Sequence, residues 1–145
     1  MTHRILVAVD DSPAGLAATR VAVGLAAQLA GTLRLVHVVT DPLATGGMLR
    51  HVEALAAAAG VEAEPVELHG EPASLILDQA RTWPADLIVI GRGTDHEFGG
   101  PYVGREARMV LEFADQPVLV VPSQPHPYSR RRTFASDEAR GAVLD

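Results

Sequence analysis

Short apolar runs alternate along this chain with longer segments whose apolar residues recur three and four positions apart. "ILVAV" at Ile5–Val9 predicts a buried strand that stops at the polar cluster Asp10–Asp11–Ser12. Ser12 stands where a helix N-cap belongs, and Pro13 suits the first helical position. Ala14, Ala18, Val21, Ala22, Leu25 and Leu29 then recur at helical spacing, until Gly31 predicts a stop. "LRLVHVV" (Leu33–Val39) predicts the second strand and "DPLATGG" a loop. Met48, Val52, Leu55, Ala56 and Ala59 mark a second helix ended by Gly60.

"VEAEPVEL" (Val61–Leu68) alternates apolar and polar residues, as a half-exposed strand does. Pro65 cannot donate a ladder hydrogen bond, so this strand is expected at a sheet edge. Pro72 opens a third helix, with Leu75, Ile76 and Ala80 expected on its inner face. "DLIVIG" is almost wholly apolar, the mark of a central parallel strand covered on both faces. A glycine-rich loop follows, then a helix from Val103 to Ala114, then a last strand in "QPVLVVP". Strict alternation of strand and helix predicts an α/β fold in three layers around an open parallel sheet. After Pro122 the apolar period is lost, and Arg130–Arg132 form a basic triplet. Residues 1–122 are therefore read as one domain and 123–145 as a flexible tail outside its core.

Composition removes several chemistries. At 145 residues with no cysteine, the chain suits one domain without disulfides, thiol catalysis or cysteine-ligated metal. All 12 basic residues are arginine, so the phosphate-loop lysine and Schiff-base chemistry are excluded. A net charge of -6 disfavours nucleic acid as a partner. No apolar run reaches membrane-spanning length and no signal-peptide core follows Met1, so a cytoplasmic protein is expected. No Gly-x-Ser-x-Gly elbow occurs, and His3, His37, His51, His69, His96 and His126 show no helical ligand spacing. His37 is expected to pack or hydrogen-bond locally. No nucleophile or general base stands out, so efficient catalysis is not expected.

In open α/β sheets a ligand sits beyond the carboxyl ends of the strands, where strand order reverses. Two such ends carry unusual residues here: Asp10–Asp11–Ser12 after the first strand, and Gly91 with its loop after the fourth. Were they adjacent, a carboxylate able to accept from a ribose or a base amine would face a glycine loop opening a helix. The free N–H groups and partial positive charge of a helix N-terminus attract an anion. A response-regulator receiver is disfavoured, because the third strand ends without Asp and the chain has no lysine. A dinucleotide-binding Rossmann domain is disfavoured too, because "DDSPAG" replaces its glycine fingerprint after the first strand.

The segments "ILVAVDDSP", "LRLVHVV", "HGEPASLILDQA", "ADLIVIGRG" and "QPVLVV" occur in an order and spacing that resemble the universal stress protein family, across Arg4–Pro122. The resemblance implies five parallel strands in the order 3-2-1-4-5, with helices on both faces. It also implies a homodimer through the last strand, Pro117–Val121, and ATP with magnesium at the switch point between strands 1 and 4, serving stress-response signalling. The family's nucleotide-binding pattern, Gly-x-x-Gly, nine residues, Gly-Ser/Thr, is matched at its outer glycines by Gly91 and Gly104. Thr94 stands at the second glycine position, with Gly93 one place early, and Arg105 stands at the Ser/Thr position.

Carried over by position, the ligand contacts are Ala8, Val9, Asp10 and Ser12 after the first strand, and Val38 after the second. From the fourth strand onward they are Ile90, Gly91, Gly93, Thr94, Gly104, Arg105 and Glu106. Asp10 would meet the ribose, Val38 and Ile90 the adenine region, and the loop amides the phosphates. Gly93 could supply a left-handed residue that Thr94 takes only at a cost, and Arg105 could fork onto phosphate. The alternative is a nucleotide-free interaction module with a degenerate loop, in which Arg105 pairs with Asp95, Glu97 or Glu106.

Overall fold

β-Branched residues crowd the centre of a sheet whose two middle strands are covered on both faces. The computed structural model describes residues 3–40, 47–93 and 103–123. In chain order the elements are β1 (Arg4–Val9), α1 (Pro13–Leu29), β2 (Thr32–Val39), α2 (Gly47–Ala58), β3 (Glu62–His69), α3 (Pro72–Thr82), β4 (Leu87–Gly91), α4 (Arg105–Phe113) and β5 (Val118–Val121). The sheet order is β3-β2-β1-β4-β5, and every neighbouring pair is parallel. Successive strands run outward from β1 to β3, then the order reverses between β1 and β4. The switch point falls where the sequence placed it.

Side chains on a strand alternate between faces, and β1 shows this directly. Ile5, Val7 and Val9 join the core beneath α1 and α2, whereas Leu6 joins the core beneath α3 and α4. β3 is an edge strand as expected, and Pro65 lies opposite Leu35 on β2 without leaving a donor unpaired in the sheet interior. At the end of the sheet where the strands begin, Arg34 on β2 bonds Glu64 on β3 at 2.8 Å and Gln79 on α3 at 3.2 Å. Its guanidinium also lies 4.8 Å from the centroid of the Trp83 ring. One side chain thereby ties β2, β3 and α3 together.

Three local expectations are corrected. The left-handed residue closing α1 is Ala30, at φ 51°, rather than Gly31. Gly31 is small for another reason, since a Cβ there would lie 2.6 Å from the His3 carbonyl oxygen. The buried face of α1 runs through Ala14, Gly15, Ala18, Thr19, Ala22, Val23 and Ala26, leaving Val21 and Leu29 exposed. An almost wholly apolar helix carries two neighbouring stripes at the same spacing, and sheet packing selects the one with smaller residues. On α3, Ala73, Ile76, Leu77 and Ala80 are buried and Leu75 is only partly so. The tail from residue 124 lies outside the described residues.

The close approach of α1 to β4 depends on Gly91. A Cβ at this position would come within 2.7 Å of the Ala14 backbone carbon and 2.8 Å of its oxygen. Gly91→Ala is therefore expected to lower stability by about 1–3 kcal/mol in urea denaturation, as overpacking does. Gly24→Ala, where nothing lies within 4 Å, should leave stability unchanged or raise it by up to about 1 kcal/mol.

Candidate functional site

A pocket of about 280 Å³ opens beyond the carboxyl ends of β1 and β4, between the N-termini of α3 and α4. Its floor is apolar: Ala8, Val36, Val38, Ile76 and Ile90 line it. Asp10, Ser12 and Thr40 form one rim, and Arg92, Gly93, Gly104 and Glu106 form the other. Val9 and Gly91 also contribute to the wall. The two strand ends singled out from sequence thus share one hollow. Such a site, with an apolar base and a few convergent polar groups, suits a flat heterocycle bearing a polar substituent.

Asp10 is held by the turn that starts α1. Its Oδ1 accepts from the Ser12 backbone N–H at 2.9 Å and from the Ser12 hydroxyl. The Ser12 hydroxyl in turn accepts from the Gly15 N–H at 3.0 Å, capping the helix. A Cβ on Gly15 would collide with the Asp10 carboxylate, at 2.0 Å from Oδ1, so glycine lets the acid lie against the first turn. Asp10 is therefore pre-oriented at the rim while remaining exposed to a ligand.

The two helix N-termini beside the pocket differ. At α3 the Glu71 carboxylate takes the donors itself, accepting from Ala73 N–H at 3.2 Å and Ser74 N–H at 2.7 Å. Hydrogen bonding from the Ser74 side chain, then from its backbone N–H, holds the Glu71 carboxyl below its ordinary value, and the Arg105 charge adds to this. At α4 the cap is Gly104, which has no side chain to bond the first turn. The first-turn amides of α4 are thus the ones presented without a side-chain cap, where an anion is favoured.

The strand-to-helix connection is cinched at its neck. Gly104 N–H donates to the Arg92 carbonyl at 2.7 Å, and Arg92 N–H donates to the Val121 carbonyl at 2.8 Å. Gly93 adopts φ 73°, and a Cβ there would lie 3.2 Å from the Gly104 Cα. Gly93, one place before the family's second glycine position, is thus left-handed. Thr94, Asp95, His96 and Glu97 lie outside the described residues.

Of the residues carried over from the resemblance, Ala8, Val9, Asp10, Ser12, Val38, Ile90, Gly91, Gly93, Gly104 and Glu106 line the pocket. Arg105 does not. It is the first helical residue of α4, it is exposed, and its charge acts on Glu71 across the gap between the two helices. The expected pairing with Glu106 does not appear among the ion pairs of the described residues. Sequence reasoning missed Ala14, Val36, Thr40, Pro72, Ile76, Arg92 and Ala107. Pro72 and Ile76 arrive from α3, whose start is announced by Glu71–Pro72, but only the packing brings that start over β1. His37 lies away from the pocket with its Nδ1 buried and unbonded, so local hydrogen bonding at that atom is not found. Among the described residues no group of three His, Cys, Asp or Glu could hold a metal ion.

Two measurements test this geometry. Ser12→Ala removes both the α1 cap and the hydroxyl donor to Asp10, leaving the backbone donor, and should cost about 1 kcal/mol of stability in denaturant titration. Glu71 has a depressed folded pKa, so its stabilising contribution is present above the unfolded carboxylate value and lost as pH falls through the folded one. Glu71→Gln should lower stability at neutral pH and flatten the acid side of the stability curve.

The comparisons with known proteins agree with this architecture. The universal stress protein family model matches residues 1–48 and 40–122. Universal stress protein YxiE of Bacillus subtilis (strain 168) is 29% identical over 147 residues, covering 83% of this chain and 99% of its own. The universal stress protein from Archaeoglobus fulgidus in complex with dAMP is 26% identical at a TM-score of 0.63, covering 82% of this chain and 97% of its own. A universal stress protein in complex with cAMP shares the fold at a TM-score of 0.74 and 24% identity, over 85% of this chain and 98% of its own. With the sheet order, the switch-point hollow and the family match in agreement, the chain belongs to the universal stress protein family.

Proposed function

We propose that this domain binds an adenine nucleotide in the switch-point pocket and acts as a small homodimeric component of stress-response signalling in the cytoplasm. The observation that carries the reading is that Asp10 and the α4 N-terminus at Gly104 wall one cavity over an apolar floor. A base lies against Val38 and Ile90, ribose hydroxyls donate to the Asp10 carboxylate, and phosphate meets the first-turn amides of α4. The dAMP complex of the Archaeoglobus fulgidus relative supports the ligand class.

ATP with magnesium is one member of that class. No three-ligand cluster is found among the described residues, so magnesium would arrive on the phosphates rather than in a protein cage. The exposed edge of β5 carries Leu119, with Leu111 and Phe113 exposed on the preceding α4, which supports association of two copies through the last strand. Binding rather than turnover is the activity proposed for this pocket.

Calorimetry with AMP, cAMP and ATP, with and without Mg²⁺, tests the reading. Saturable heat is expected for at least one of them, and Asp10→Ala should weaken it about ten-fold through loss of a charged hydrogen bond. Because Asp10 also braces the start of α1, Asp10→Asn serves as the variant that keeps the turn. Absence of heat at millimolar ligand would favour the rival reading, a nucleotide-free interaction module.

A further inference from the structure

The charges around the pocket are poorly arranged for a string of phosphates. Among the described residues lining it, the acidic and basic side chains are Asp10, Glu106 and Arg92, two acids against one base. Glu106 is the only acid in the first turn of α4. Its carboxylate therefore already occupies part of the partial positive field that an incoming phosphate would use. Arg105, the natural counterweight, lies outside the lining. Its charge acts weakly on Glu71, whose carboxylate caps the neighbouring start of α3.

We propose that Glu106 makes this pocket selective for adenosine bearing a single phosphate, as monoester or cyclic diester, and discriminates against the triphosphate. This rests on the nucleotide reading above and specifies its ligand. One phosphate seated at Gly104 uses the amides and Arg92, and its limited charge tolerates the neighbouring carboxylate. Each further phosphate adds negative charge near Glu106, and also near the start of α3, where Glu71 precedes the lining residue Pro72. A cavity of about 280 Å³ is also at the small end of ligand pockets, which commonly run from roughly 300 to 1,000 Å³.

Calorimetric titration of the full chain with adenosine, AMP, cAMP, ATP in EDTA and ATP in excess Mg²⁺ tests this, using wild type, Glu106→Gln and Glu71→Gln. Wild type should bind AMP or cAMP about ten-fold or more tighter than ATP in EDTA. Glu106→Gln should tighten ATP by about ten-fold while changing AMP much less, and Glu71→Gln, which removes a carboxylate beside the lining residue Pro72, should tighten ATP to a smaller extent. Mg²⁺ should narrow the wild-type gap by neutralising phosphate charge. Both glutamates are exposed, and thermal unfolding without ligand reports whether each variant keeps the fold. If ATP in EDTA binds wild type as tightly as AMP, or gains nothing in folded Glu106→Gln, the selectivity is overturned while nucleotide binding stands. If no protein binds any ligand, the nucleotide reading fails and this inference fails with it.

Discussion

The site exists because two side chains are missing where α1 meets the sheet. Gly91 ends β4 directly beneath the Ala14 backbone, and Gly15 leaves room for the Asp10 carboxylate beside the first turn. A methyl on Gly91 would push α1 away from the sheet, and one on Gly15 would displace the Asp10 carboxylate from the first turn. With both absent, β1 and β4 end together under the same helix turn, and their continuations diverge around a hollow. The capping chain from Asp10 through Ser12 to Gly15 then fixes the rim at the cost of ordinary turn chemistry.

Around that hollow the two neighbouring helix starts have been treated in opposite ways. α3 satisfies its own first-turn donors with Glu71, while α4 begins at a glycine and leaves its first turn without a side-chain cap. Anion binding is thereby directed to one end of the pocket. The acid at Glu106 shares that end, and Arg105 lies outside the lining. Apolar floor, oriented carboxylate and helix start together make a small, asymmetric pocket.

Much of this architecture is legible in the amino-acid sequence, for identifiable reasons. Strands buried on both faces are continuous apolar runs, so "ILVAV" and "DLIVIG" could be placed at the sheet centre. Pro65 announced an edge, Ser12–Pro13 announced a helix start, and Gly91 with Gly104 bracketed the loop. The face of α1 was misjudged because alanine and valine fill adjacent stripes, and helical spacing cannot tell which one meets the sheet. The α1 stop was misplaced by one residue because Ala30 accepts a left-handed conformation at roughly 1–2 kcal/mol, which local propensity assigns to Gly31.

Local chemistry along the chain therefore determined the elements, their alternation, the edge and centre strands, and which two strand ends would meet at the pocket. These follow from periodicity, caps and proline, all of which act over a few residues. Tertiary packing alone decided that Pro72 and Ile76 from α3 would close the pocket, and that Arg105 would act on Glu71 rather than line it. Such pairings depend on where whole helices dock, and electrostatic partners more than thirty positions apart in the chain leave no periodic trace in it.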